Sequence, residues 1–365
     1  RAPAEGGPAL VDFASNDYLG LAADPRPAAA AAAVLAREGL GAGAARLLGG
    51  DHPLHHALEA ELAGLKGAAR AVLFPSGYAA NTGALPALAG DGDAVYSDAL
   101  NHASLVDGCR LARANGAVVR VVPHADPDAL DRALAADVGR FRRRWLVVEG
   151  VYSMDGDRWP LDRLVALARA YGAYTYVDDA HGTGVLGATG AGSAEHWGVT
   201  GRIDVTVGTL GKALGAAGAF VAGSDELGEL LVNRARPFVF TTASPPALAA
   251  GALAALAAAR AEPWRRRRVL ANARRLRSRL AALGHLAPGA ADGHVVPVPV
   301  GGADAAVAAG EALRARGFLA GAVRPPTVPA GQSRLRLSVS ALHADAELDA
   351  VADAVAAVLA ECGAA

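Results

Sequence analysis

V-D-D-A-H-G-T-G-V-L-G, residues 177–187, and D-V-T-V-G-T-L-G-K-A-L-G, residues 204–215, decide the fold of this chain. Each contains or follows a short apolar run, Tyr174–Val177 and Val205–Val207, of the kind that forms a strand buried on both faces. Asp178 closes the first run and Lys212 lies in the glycine turn after the second. An aldehyde cofactor with a pyridine ring needs this pair of groups. An amine condenses with the aldehyde, and a carboxylate keeps the ring nitrogen protonated so that the ring can accept electrons. The two segments therefore point to pyridoxal 5′-phosphate (PLP).

Outward from these segments, apolar runs at Ala71–Phe74, Val118–Val122, Trp145–Val148 and Ala219–Ala222 predict further strands. Between them, His52–Leu65, Ala79–Ala89, Ser104–Ala114 and Leu161–Tyr171 predict helices. The alternation is that of an α/β domain whose central sheet is mostly parallel and flanked by helices. After about Pro246 the chain becomes Ala/Leu/Arg-rich and reads as helices broken near Pro263. Strands at Val295–Val300, Phe318–Val323 and Arg334–Val339, with helices at Asp304–Arg316 and Ala344–Leu359, then predict a smaller α+β domain. Pro297 and Pro299 put the first of those strands at a sheet edge or make it irregular. The expected division is an N-terminal segment 1–35 packing with the small domain, a large domain 36–255 and a C-terminal domain 256–365.

The chain has 365 residues, 52% hydrophobic and 19% charged, with a formal net charge of −1. This suits a well-buried globular protein and argues against nucleic acid or a membrane surface as the main partner. The run Arg265–Arg268 is read as a solvated helix face. Cys109 and Cys362 are the only cysteines, with no CxxC and no Cys/His cluster, so neither a disulfide framework nor a zinc site of usual spacing is expected, and a reducing cytoplasm is. No stretch reads as a membrane span or a signal peptide, and because the chain opens on Arg1 rather than Met a preceding segment is expected.

Lys66 and Lys212 are the only lysines in a chain that otherwise uses arginine. A lysine kept inside G-T-L-G-K-A-L-G suggests a need for an amine that can lose its charge, which guanidinium cannot do. Ala213 follows it where a P-loop requires Ser or Thr. Gly182, Gly184 and Gly187 match the dinucleotide fingerprint, but A-T-G-A-G-S-A-E-H-W-G after them is not the amphipathic helix that would receive a pyrophosphate. Ser76-Gly77-Tyr78 begins a helix after a strand, where backbone N–H groups can hold phosphate, although a serine cap is also common for structural reasons. His102 could stack on a flat ring or be an ordinary histidine. Strand alternation puts Arg334 and Arg336 on one face, as a carboxylate clamp or a solvent-facing edge.

Taken together, S-N-D-Y-L-G-L at 15–21, F-P-S-G-Y-A-A-N at 74–81, N-H-A-S-L at 101–105, E-G-V-Y-S-M-D-G-D at 149–157, F-T-T-A-S-P-P at 240–246 and R-L-R-L-S-V-S-A-L-H at 334–343 resemble the α-oxoamine synthases nearly end to end. These are fold-type I PLP-dependent transferases that condense an amino acid with an acyl-CoA and release carbon dioxide. The segment V-R-P-P-T-V-P-A-G at 323–331 resembles the branch using L-alanine with pimeloyl-CoA or a pimeloyl-carrier protein in biotin synthesis. Relatives using other amino acids or acyl-CoAs remain the alternative. The resemblance implies that Lys212 holds the cofactor aldehyde and moves the α-proton, and that Asp178 pairs with the ring nitrogen. It places His102 over the ring, and Ser153 and His181 near its 3′-oxygen. Gly77, Tyr78 and Thr209 would hold the cofactor, with Thr242 reaching the phosphate from the other subunit of a homodimer. Asn16 and Arg336 would bind the amino-acid carboxylate, with Thr327, and His102 again, touching substrate.

Overall fold

Residues 9–286 and 293–361 are described in a computed structural model of the chain. Its strands are β1 (Val11–Asp12), β2 (Arg70–Phe74), β3 (Asp93–Asp98), β4 (Val118–Val122), β5 (Arg143–Glu149), β6 (Tyr174–Asp178), β7 (Val205–Thr209), β8 (Ala219–Gly223), β9 (Val295–Gly301), β10 (Phe318–Leu319), β11 (Gly321–Val323) and β12 (Ser333–Ser338). The chain forms two compact units. The larger comprises Leu21–Tyr152 and Arg158–Pro263; the smaller takes residues up to Gly20, Ser153–Asp157 and those from Trp264 onward.

The larger unit is built on a seven-stranded sheet in the order β2-β8-β7-β6-β5-β3-β4. All neighbouring pairs from β7 to β4 are parallel, and β8 runs antiparallel to both β2 and β7. The run W-L-V-V in β5 shows why apolar residues need not alternate here. Trp145 and Val147 pack with Val95, Tyr176 and Val205 on one face. Leu146 and Val148 pack with Tyr96, Trp159 and Val177 on the other. Both faces are covered by helices, so every position is interior. The six expected strands all form. One central strand, β3, was not among them, because its sequence D-A-V-Y-S-D begins and ends with carboxylates. Both are buried with partners: Asp93 accepts from Arg142 and Arg143, and Asp98 accepts from the Trp159 indole and the Ala125 backbone N–H.

Parallel strands end at one edge. Asp98, Glu149, Asp178 and Thr209 close β3, β5, β6 and β7 there, the edge at which open α/β sheets bind ligands. The helix Pro25–Glu38 also belongs to this unit, with Val34 against Ala247 and Ala250 of the helix Pro246–Ala261.

In the smaller unit β12 lies between β11 and β9, antiparallel to both, while β1 and β10 pair in parallel. β9 is an edge strand, with Pro297 opposite Arg336 and Pro299 opposite Arg334. The expected single strand Phe318–Val323 is interrupted at Ala320, and its halves join different sheets. Phe13, Leu276, Val296, Leu335, Leu337 and Val355 lie within this unit's core. The arginine run in the helix Trp264–Ala282 departs from the solvated face expected of it. Arg265 and Arg266 are each 7% exposed. Arg265 donates to the carbonyls of Leu19 and Gly20 at 2.8 and 3.3 Å. Four consecutive helical residues span more than a full turn, so two of them must face inward, and here carbonyl oxygens receive the charge.

Among the described residues no helix is long and apolar enough to cross a membrane. Cys109 is buried and forms no disulfide, and burial pushes its thiol up to about 11. Cys362 lies outside the described residues.

Candidate active site

In the larger unit, β6 and β7 run side by side and bring the two leading residues to the same sheet edge. Asp178 is the last residue of β6 and is 6% exposed. Lys212 follows β7 in a turn closed by Gly215 N–H donating to the Lys212 carbonyl. Gly215 has φ +58°, and a Cβ there would lie 2.2 Å from the Ala22 nitrogen, so this turn requires glycine. The Lys212 ammonium donates to His181 Nε2 at 2.8 Å, and His181 is itself buried.

Asp178 is held from two sides. Its Oδ1 accepts from Ala180 N–H at 3.0 Å and its Oδ2 from the Asn81 amide at 2.7 Å. The same Asn81 amide nitrogen donates to Ser104 Oγ at 2.9 Å, and its carbonyl accepts from the Tyr176 hydroxyl at 2.8 Å. Burial and the neighbouring Asp178 charge hold the Tyr176 hydroxyl well above its ordinary pKa, so it stays a donor. Asn81 is fully buried in the helix Gly77–Leu88 and orders three polar groups at once. Sequence reasoning did not find it; its only signal was its place in F-P-S-G-Y-A-A-N.

Glu149 was also missed. It sits opposite Asp178 on the adjacent strand and is 3% exposed. Burial first, and the Asp178 carboxylate second, push its pKa well above the usual carboxylate range, against the His102 N–H and the Lys212 charge. Its Oε1 accepts that His102 backbone N–H at 2.6 Å. Glu149 is thus the carboxyl at this sheet edge that burial and a neighbouring charge drive toward its neutral form.

The His102 imidazole caps the helix Ala103–Ala114, with Nδ1 accepting from Ser104 N–H. The residue stays exposed at the sheet edge. The protein around the ring lowers its pKa, with Lys212 acting in the same sense and Asp178 opposing, so the neutral ring is favoured. Gly77 opens the next helix after the Ser76 cap, whose Oγ accepts from Ala79 N–H. A Cβ on Gly77 would lie 2.8 Å from Thr209 Cγ2, so glycine lets this helix start approach the end of β7. Thr209 Oγ1 donates to the Ala180 carbonyl at 3.3 Å. Tyr78 is half exposed, its hydroxyl donating to Asp107 at 2.6 Å. Thr242 is bridged to Ala45 and lines a cavity with Pro75 and Leu210, the residues next to Ser76 and Thr209. The run Gly182–Gly192 turns back on itself, with Gly184 N–H donating to Gly190 O and Gly192 N–H to Leu186 O. Only the four-residue helix Ser193–His196 follows, so the dinucleotide pattern has no helix on which to seat a pyrophosphate.

The smaller unit gathers a second group. Arg336 is 8% exposed and donates to the Ser153 carbonyl at 2.5 Å, Ser338 Oγ at 2.8 Å and Asn16 Oδ1 at 3.2 Å. Asn16 Oδ1 also accepts from the Tyr18 hydroxyl. Burial pushes that hydroxyl up to about 12, with Arg336 opposing. Arg334 pairs with Asp155, so both strand arginines engage the 153–157 segment, as alternation on one face requires. Thr327 lies exposed between β11 and β12, its N–H donating to the Arg324 carbonyl.

The donor set of the larger unit fits PLP. It offers an amine that can shed its charge, a buried hydrogen-bonded carboxylate, an exposed imidazole, and a serine-capped helix start whose N–H groups suit a phosphate.

The class I and II aminotransferase family profile matches residues 8–355. An 8-amino-7-oxononanoate synthase of Anaeromyxobacter dehalogenans (strain 2CP-1 / ATCC BAA-258) is 54% identical over 354 residues, covering 97% of this chain and 87% of that protein. One from Geobacter sulfurreducens is 49% identical over 97% of this chain and 90% of its own length. Among solved structures, a serine palmitoyltransferase from S. paucimobilis with a bound PLP–myriocin aldimine superposes with a TM-score of 0.92 at 33% identity, covering 97% of this chain and 88% of that one.

Proposed function

This chain belongs to the class I and II aminotransferase family and groups there with the 8-amino-7-oxononanoate synthases, and from that premise we propose that it joins L-alanine to a pimeloyl thioester in biotin synthesis. The observation that carries the reading is the placement of Lys212 beside His181 at the edge where Asp178 ends its strand. Identity near 50% with several such synthases over 97% of the chain supports the branch.

PLP is the cofactor, and when bound it supplies an electron sink that stabilises negative charge at the amino-acid α-carbon. Lys212 anchors the aldehyde end and exchanges the α-proton at its Nζ, with His181 as hydrogen-bond partner. Asp178 holds a proton on the ring nitrogen, and Asn81 keeps that carboxylate aimed. His102 covers a ring face with its neutral imidazole. Gly77, Tyr78 and Thr209 line the phosphate and ring, and Ser153 serves the ring's 3′-oxygen together with His181. Arg336 and Asn16 bind the alanine carboxylate through a charge-assisted hydrogen bond, and Thr327 touches substrate. Removal of the α-proton opens the attack on the thioester carbonyl. CoA or the carrier leaves, carbon dioxide follows from the β-keto acid, and a proton returned from Lys212 completes the amino ketone.

A cytoplasmic homodimer is part of this reading, the phosphate being reached by Thr242 of the partner subunit. Leu48 and Phe240, 82% and 71% exposed, support a surface covered by a second copy. The test is turnover with alanine, glycine and serine crossed against short-, medium- and long-chain acyl donors. Alanine with a pimeloyl donor is expected to be best. Best turnover with serine and a long acyl chain, or with glycine and succinyl-CoA, would overturn the assignment.

A further inference from the structure

The chain's other lysine is as specialised as Lys212. Lys66 ends the helix Pro53–Lys66 and is 7% exposed. Its ammonium donates to Asp179 Oδ2 at 2.7 Å, Thr183 Oγ1 at 2.7 Å and the Ala191 carbonyl at 2.6 Å. Three donors meet three acceptors, all drawn from the 179–191 segment that carries His181, more than a hundred residues away in sequence.

Asp179 is the hub. Its side chain is 2% exposed, its Oδ1 accepts Ser193 N–H at 3.1 Å, and its carbonyl accepts Gly182 and Thr183 N–H. Its own N–H donates to the Val207 carbonyl of β7. Glycines close around its carboxylate. A Cβ on Gly182 would lie 2.1 Å from Oδ1, and one on Gly192 would lie 1.8 Å from Oδ2 and 2.9 Å from the Lys66 nitrogen. Of the glycines that imitate a nucleotide fingerprint, Gly182 therefore packs backbone against the buried ion pair, whereas Gly187 makes room for Glu195. The three donors of a compact ammonium match these three acceptors, a use of lysine in a chain that otherwise relies on arginine.

We propose that Lys66, acting through Asp179, is a positioning residue that fixes Asp178 and His181 on either side of Asp179 at the geometry the cofactor requires. This rests on the PLP reading. Asp178 precedes the clamped residue and His181 lies two positions after it, inside the turn the clamp closes. A shift of the clamp displaces both, and displacements of about 1 Å in a reacting geometry can cost 10²-fold in rate.

The experiment compares wild type, Lys66→Met, Asp179→Leu and the double variant by three readouts: thermal midpoint, PLP affinity by absorbance titration across pH, and kcat with KM for alanine. A single change leaves one buried charge unpaired, whereas removing both partners together is often neutral for stability. Lys66→Met is expected to lower the midpoint, weaken PLP binding and reduce kcat at least tenfold. The double variant is expected to regain most of the midpoint while kcat stays at least tenfold low and the pH dependence of PLP absorbance stays shifted. Recovery of rate, affinity and pH dependence together with stability would overturn the proposal, leaving the pair a purely structural one. Thr183→Val removes one acceptor without stranding a charge, and should weaken PLP binding about threefold if the singles do not fold; wild-type affinity in that variant would also overturn it. Failure of the functional reading is separate: wild type that takes up PLP but makes no product from alanine and pimeloyl donors sinks the substrate assignment and leaves these affinity and spectral comparisons intact.

Discussion

Asn81→Leu isolates the network behind Asp178. The substitution roughly keeps volume and removes three hydrogen bonds of 2.7–2.9 Å, to Asp178, Ser104 and Tyr176. Ser104 keeps the His102 imidazole at 2.8 Å, and Asp178 keeps the Ala180 N–H. The Tyr176 hydroxyl, at 0% exposure, is left without this acceptor. A buried orphaned hydroxyl costs ~1–3 kcal/mol, and loss of a hydrogen bond to a charged group ~1.5–3 kcal/mol, so the change should destabilise the cofactor-free protein by about 3–5 kcal/mol. Tyr176→Phe alone leaves only the Asn81 carbonyl short, costing about 1–2 kcal/mol. Added to Asn81→Leu it should cost nothing further and return some of the loss, because no hydroxyl is then stranded. The assay is denaturant unfolding of the four proteins in a double-mutant cycle, with PLP affinity measured alongside. A coupling energy of about 1–2 kcal/mol is expected; strict additivity within about 0.5 kcal/mol would refute a shared network.

Lys212→Ala should lower product formation by at least ~10³-fold, since a positioned acid/base group alone typically gives ~10²–10⁴-fold, and it should change the visible spectrum of bound PLP; near-normal turnover would remove Lys212 from the chemistry. Glu149 has a folded pKa raised above its unfolded one, so its contribution to stability is full below the unfolded value and is lost as pH rises through the folded value. Glu149→Gln is therefore expected to flatten the fall of stability with rising pH, read as thermal midpoint against pH, and an unchanged slope would contradict a buried neutral acid. Arg265→Ala strands the Leu19 and Gly20 carbonyls and should destabilise by about 2–4 kcal/mol in a denaturant titration, whereas a solvated arginine would cost under about 0.5 kcal/mol.

The residues that chemistry constrains were legible. Asp178, His181 and Lys212 stand in strand-end and turn positions that their local sequence announces, and the fold brings them to one sheet edge. Buried apolar runs announced β5, β6 and β7 for the same local reason. What stayed hidden depends on distant partners. β3 carries carboxylates that are tolerable inside only because Arg142, Arg143 and Trp159 reach them. Arg265 looks solvated until its carbonyl acceptors, some 245 residues away, are known. Asn81 and Lys66 give no periodic signal at all, since one side chain satisfying three others leaves no pattern in its own neighbourhood.

Pro297 and Pro299 carry one more consequence. A strand edge ordinarily presents a row of free N–H groups that an alien strand can copy, which is how ordered aggregates begin. β9 lacks that row at two of its seven positions, and between them Val298 is buried in the unit's own core. The rim of the arginine-bearing sheet is thereby poorly templating. That rim offers a second copy of the chain little to pair with along β9.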